Sequence, residues 1–127
     1  MAKVFILEDE IYKTPRNQIL KVLKKHEVVA ATSVPEAKGL YTPRFDWLLL
    51  DHDMHGFYDS SDKPNCGYQF VRWVVTLQHP SIPKVYIHSQ NGEGRRKMKD
   101  YLVKAGWSHV IEHPFAPSYV DVLKELV

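Results

Sequence analysis

At 127 residues, with 44% hydrophobic and 25% charged residues, the chain is sized for one domain with a substantial core; these are ordinary globular values with no low-complexity tract, so disorder is not the default reading. A net charge of +2 gives no strong field for duplex DNA, and Lys24, Lys25, Arg95, Arg96 and Lys97 read as solvated helix charges. One cysteine, Cys66, precludes an internal disulfide, and with no signal peptide pattern and no apolar run near ~18 residues the expectation is a cytoplasmic protein without a membrane span.

Along the chain, the apolar run Val4 to Leu7 predicts a first strand, ending in Glu8-Asp9-Glu10. Thr14 as N-cap with Pro15 at the first helical position then opens a helix whose stripe is Ile19, Leu20, Val22 and Leu23, ending near His26. Val28 to Ala31 is the second strand, and Ser33 and Glu36 form a capping box around Pro35 for a short helix to about Tyr41. Trp47 to Leu50 is the third strand, apolar without alternation and so buried on both faces, and it stops at Asp51-His52-Asp53. A helix is expected from Gly67 to Gln78, a fourth strand over Val85 to Ile87 ending in His88-Ser89-Gln90-Asn91, and a helix from Arg95 to Ala105 stopped by Gly106. Val110 to Ile111 and a helix from about Ser118 to Leu126 close the chain. Trp47, Trp73 and Trp107 sit in or beside apolar segments and read as core packing.

Strands alternating with helices imply βαβ units with right-handed crossovers. The expected fold is therefore a single α/β domain over residues 1–127: a doubly wound five-stranded parallel sheet, flavodoxin-like order 2-1-3-4-5, with helices on both faces. That order brings the carboxyl ends of the first, third and fourth strands together, where open parallel sheets bind ligands. The long irregular segment after His52 suggests that Gly56 to Asn65 covers the site.

Convergence of Glu8, Asp9, Asp51 and Asp53 would be strongly repulsive without a counter-ion. A divalent cation removes the repulsion, and carboxylate oxygens favour Mg²⁺ or Mn²⁺ over zinc, with His52 and His88 leaving a mixed nitrogen and oxygen site open. Glu10 reads as a helix cap or a solvated side chain. His88 alone reads as a satisfied structural imidazole, but paired with His52 it suggests a general acid and base for phosphoryl chemistry. Ser89 and Asn91 offer phosphate donors, and Asn91-Gly92 with Gly94 leaves the backbone free to wrap an anion before a helix start. Arg95 and Arg96 either contact phosphate oxygens or are solvated, and His113, kept extended by Pro114, has either a phosphate-contact or a peripheral hydrogen-bonding role.

These residues resemble the receiver domain of bacterial response regulators over nearly the whole chain. The matching elements are Ile6-Leu7-Glu8-Asp9-Glu10, then Phe45 to Asp51 with Met54, then Ile82-Pro83, then His113-Pro114-Phe115. The resemblance implies Mg²⁺ held by Glu8, Asp9 and Asp51, helped by the main-chain carbonyl of Asp53, with Asp51 as phosphoacceptor. Two positions depart from it: His88 stands where receivers carry a Thr or Ser hydroxyl, unless a one-residue shift puts Ser89 there, and His113 stands in place of the family lysine. Leu50-Asp51-His52-Asp53, Gly67-Tyr68, Ile87-His88-Ser89-Gln90-Asn91 and Met98 are more similar to the divergent receiver-like family proposed to process cyclic phosphates, with Met54-His55 a minor departure.

The mechanism expected from this reading is metal-assisted phosphoester hydrolysis. Asp9 and Asp51, with Asp53, hold the cation, while a water or the Asp51 carboxylate attacks in line. His52 and His88 move protons, and Ser89, Asn91 and the backbone near Gly92 take the nonbridging oxygens. Substrates consistent with it are cyclic nucleotides or a 2′,3′-cyclic phosphate RNA end. The alternatives are a stand-alone receiver phosphorylated on Asp51 in a phosphorelay, presenting its fourth-helix face to a protein partner, and an inactive pseudo-receiver. With no segment following Val127, transcriptional output in cis is not expected.

Overall fold

Leu48, Leu49 and Leu50 have no solvent exposure, and the strand that carries them runs through the middle of a five-stranded parallel sheet. The computed structural model describes residues 2–53, 65–115 and 117–126. In chain order the elements are β1 (Lys3–Leu7), α1 (Gln18–Val22), β2 (Glu27–Ala31), α2 (Val34–Leu40), β3 (Trp47–Leu50), α3 (Gly67–Val74), β4 (Lys84–Ile87), α4 (Gly92–Lys104), β5 (Val110–Glu112) and α5 (Pro117–Leu126). The strand order is β2-β1-β3-β4-β5, the doubly wound arrangement expected from the alternation of elements.

Alternate residues of each strand point to opposite faces, so each apolar run feeds two cores. Phe5, Leu7, Leu48, Leu50, Val85 and Ile87 pack with Ala37 of α2, Phe70 and Val74 of α3, and Met98 and Leu102 of α4. Val4, Ile6, Leu49 and Tyr86 pack on the other face with Ile19 of α1 and with Tyr119 and Leu123 of α5. Trp107 is buried and Trp47 and Trp73 are half-buried against these cores, as their apolar surroundings suggest. No helix among the described residues is long and apolar enough to cross a membrane.

Helix boundaries depart from expectation at α1, α3 and α4. Thr14 does not cap α1, which begins at Gln18 after single turns closed by Gln18 N–H to Pro15 O (3.1 Å) and Ile19 N–H to Arg16 O (3.0 Å). That detour carries Arg16 back to the end of β1. The Ser33 cap holds, with its Oγ accepting from Glu36 N–H, although the Glu36 carboxylate reaches Thr32 N–H (2.7 Å) rather than the cap residue. Helix α3 stops at Val74, and Thr76 and Leu77 follow in tight turns. Helix α4 begins at Gly92 because Asn91 Oδ1 accepts from Gly94 N–H (2.9 Å), so Gly92 and Gly94 form the first helical turn instead of an anion-wrapping loop. Gly106, at φ 93°, ends α4 in the left-handed region that favours glycine.

Register makes the rim. Leu7 pairs with Leu50 and Leu50 with Ile87, so the next residues, Glu8, Asp51 and His88, emerge side by side from β1, β3 and β4. The ladder continues one step further: Asp51 N–H donates to Leu7 O (2.9 Å) and His88 N–H to Leu50 O (2.8 Å). Helix α3 closes on this rim, with Gly67 N–H donating to His52 O (2.8 Å). A Cβ on Gly67 would lie 1.9 Å from the Asp51 carbonyl oxygen, a backbone clash that no rotamer relieves. In urea unfolding, Gly67→Ala is expected to cost at least about 1–3 kcal/mol by displacing α3, whereas Gly39→Ala, which meets nothing within 4 Å inside α2, should gain about 0.5–1 kcal/mol.

Candidate active site

The carboxylates of Glu8, Asp9 and Asp51 gather at the carboxyl ends of β1 and β3, each offering an oxygen within 4.8 Å of the others. Glu8 is almost wholly buried, and its oxygens are matched individually. Oε1 accepts from Arg16 Nε (3.0 Å) and His88 Nε2 (3.0 Å), and Oε2 accepts from Glu10 N–H (3.0 Å). Burial alone would push the Glu8 carboxyl up, but the His88 hydrogen bond and charge, the Glu10 N–H and a hydrogen bond with Asp9 outweigh it and hold the group at about 2.

Asp51 goes the other way. It is 5% exposed, and burial together with the Glu8 charge raises it well above the usual carboxylate range. The Ser89 hydroxyl, the charge of Arg16 and the His52 N–H, which donates to Asp51 Oδ1 (2.8 Å), offset only part of that cost. A carboxylate in this position favours either a proton or a cation, and a group of hard oxygen donors suits Mg²⁺ or Mn²⁺. The acidic cluster therefore fits a divalent metal.

The two histidines have different surroundings. His88 is fully buried, with Nε2 on Glu8 and Nδ1 facing the Tyr119 hydroxyl (3.1 Å), so both ring nitrogens are engaged inside the protein. Burial and the charges of Glu8 and Asp51 hold the Tyr119 phenol well above its usual range, so it remains an O–H. His52 is also buried: its Nδ1 meets Asp53 Oδ1 (2.6 Å), and Asn91 Nδ2 donates to that same Asp53 oxygen (3.2 Å). Gly94 lies against the His52 ring, where a Cβ would come within 2.6 Å of Cγ.

The site residues anticipated from sequence thus divide into two groups. Glu8, Asp9 and Asp51 are brought together, with Ser89 bonded to Asp51. Asp53 does not join that cluster, because its carboxylate is drawn to His52 and Asn91. Asn91 spends its oxygen on Gly94 N–H and its amide on Asp53, and His113 Nδ1 sits 2.7 Å from Pro114 O. Arg95 is also held internally, bonded to Ser89 O and paired with Glu112 (3.5 Å). The cover expected over Gly56 to Asn65 falls, except for Asn65, outside the described residues. A cavity of about 530 Å³ lies at the amino ends of β3 and β4, lined by Asp46, Trp47 and Lys84 among others, far from this chemistry.

Two side chains that complete the site's hydrogen bonding escape sequence reasoning. Arg16 follows a proline in a polar segment, and Tyr119 sits in the apolar stripe of α5; neither carries a local signal, and both reach Glu8 or its partner His88 only through the fold.

The opposite shifts of Glu8 and Asp51 give opposite pH signatures. Glu8 is depressed, so its contribution to stability is complete above about its ordinary 4.5 and is lost as pH falls toward 2; Glu8→Gln should flatten acid unfolding across that window. Asp51 is raised, so ionising it costs stability as pH rises. In a thermal melt without divalent metal, Asp51→Asn should be more stable than wild type by about 1–3 kcal/mol at pH 7, with the gap closing toward acid.

Comparison with solved structures gives the same fold throughout. The chain is similar to the non-phosphorylated HemR receiver domain of Leptospira biflexa (16% identity, TM-score 0.67, covering 99% of this chain and 93% of that one). It is also similar to the chemotaxis protein CheY4 of Vibrio cholerae (21%, TM-score 0.64, 100% and 99%) and the receiver domain of NtrX from Brucella abortus (20%, TM-score 0.62, 98% and 96%). No curated protein sequence matches. The family of cyclic-phosphate processing receiver domains matches residues 4–104, which run from β1 to the end of α4 and include Glu8, Asp9, Asp51, His52 and His88. By that match the chain belongs to the cyclic-phosphate processing receiver domain family.

Proposed function

We propose that this receiver domain processes a cyclic phosphate or related phosphoester with a divalent metal, Mg²⁺ or Mn²⁺, held by Glu8, Asp9 and Asp51. The observation that carries this reading is the largely buried acidic cluster itself, in which Asp51 is destabilised as an anion by burial and by Glu8. When bound, the metal would neutralise phosphate charge and so make phosphorus more electrophilic. Asp51, which would be kept ionised by the bound metal, would take the proton of an attacking water as the new P–O bond forms and the ring P–O bond breaks. His52, oriented through Nδ1 by Asp53, is the candidate proton carrier for the leaving oxygen. His88, with both nitrogens engaged, supports Glu8 and acts through it. Ser89 hydrogen-bonds Asp51, and Asn91 steadies Asp53; direct phosphate contact by Ser89, Asn91 or His113 would require these side chains to exchange their present partners.

A second reading has its own support. The Ser89 hydroxyl on Asp51 resembles the arrangement expected of a phosphoacceptor and its switch hydroxyl, with Val103 of α4 and Ile111 of β5 exposed for a protein partner. Incubation with acetyl phosphate and Mg²⁺ separates the two: an acid-labile adduct on Asp51 that persists without turnover favours a phospho-switch.

The direct test is a screen of 3′,5′- and 2′,3′-cyclic mononucleotides and cyclic-phosphate RNA ends with Mg²⁺ or Mn²⁺. Turnover is expected with at least one substrate, to be abolished by chelation and reduced roughly 10²–10⁴-fold in Asp51→Asn. No turnover with any substrate and metal would sink the enzymatic reading.

A further inference from the structure

We propose that Arg16 is the phosphate-recognising cation of this site, the side chain that meets the nonbridging oxygens of the bound phosphate. The inference rests on the phosphate-processing reading above and assigns the residue that recognises the anion. Arg16 is held on two sides: its Nε donates to Glu8 Oε1 at 3.0 Å, and its guanidinium carbon lies 3.9 Å from the centroid of the Phe115 ring. The side chain is only 19% exposed, so it is a built part of the rim.

Of its five N–H donors, the Nε–H is spent on Glu8. Among the described residues nothing accepts a hydrogen bond from its two Nη amines. Those amines are carried by a group already bonded to one member of the Glu8, Asp9 and Asp51 cluster, and its positive charge is felt at Asp51. A planar fork with free N–H groups matches two oxygens of a phosphate. Of the other candidate cations, His113 faces Pro114 O, Arg95 is bonded to Ser89 O and paired with Glu112, and Arg96 is exposed on α4. The ligand class is therefore a phosphomonoester or phosphodiester presented to the metal cluster with one edge toward Arg16.

The assignment makes two affinities move in opposite directions. Removing Arg16 takes away a cation that competes for Glu8, so divalent metal should bind as tightly or more tightly, while phosphate should bind more weakly. Calorimetric titration of the full chain with Mg²⁺, and then with inorganic phosphate at saturating Mg²⁺, reads both. Arg16→Gln is expected to weaken phosphate at least about tenfold without weakening Mg²⁺, with Arg16→Lys in between. Thermal melts confirm that each variant is folded, and Arg16→Lys serves if Arg16→Gln is not. Equal phosphate affinity in wild type and the folded variants overturns the assignment. So does a parallel loss of Mg²⁺ and phosphate, which would mark Arg16 as a mere support for Glu8, and so does a wild type that binds no phosphate. Arg16-dependent phosphate binding in a protein that turns over no cyclic phosphate would sustain this assignment while removing the enzymatic reading.

Discussion

The Glu8 carboxylate is the constraint around which the rim is arranged. A charged group 1% exposed at the end of β1 is costly unless its oxygens are individually matched, and the matches come from three separate parts of the chain. Arg16 arrives from the turns before α1, His88 from the end of β4 and the Glu10 N–H from the loop after β1. His88 in turn needs Tyr119 from α5. One buried anion thus ties β1, β4 and the face covered by α1 and α5 together at the carboxyl edge of the sheet. The energetic logic is specificity more than net stability, since a buried ion pair roughly cancels its own desolvation while the loss of one partner leaves an uncompensated charge.

Asp51 is the complement of that arrangement. Among the described residues most of the available donors go to Glu8, and Asp51 keeps the Ser89 hydroxyl, the His52 N–H and a share of the Arg16 field. Two neighbouring carboxylates are therefore pushed apart in acidity, one held ionised and the other favouring a proton or a cation. Such asymmetry is common where chemistry is done, because it separates the group that anchors from the group that exchanges.

The second layer of the site explains features that look unrelated along the chain. Asp53 orients His52, Asn91 steadies Asp53 while capping α4, and Gly94 is without a side chain because the His52 ring occupies that space. The glycines around Asn91 thus serve close packing of α4 on the rim. His113 and Arg95 are similarly drawn into local contacts, while Arg16 joins His88 on the acidic cluster through Glu8.

Much of this was legible in the amino-acid sequence. Unbroken apolar runs such as Leu48-Leu49-Leu50 identify strands buried on both faces, and their alternation with amphipathic segments leaves few topologies, so the sheet order and the meeting of Glu8, Asp9 and Asp51 follow from pattern alone. Period and polarity are local properties, and they are written in the sequence. Which way a charged side chain turns is not local. Asp53 turning to His52 and Asn91 instead of joining the carboxylates, His88 being sealed between Glu8 and Tyr119, and Arg16 returning to Glu8 across the irregular chain of residues 9–15 were decided by which donors the folded packing brought within hydrogen-bonding reach of each buried charge.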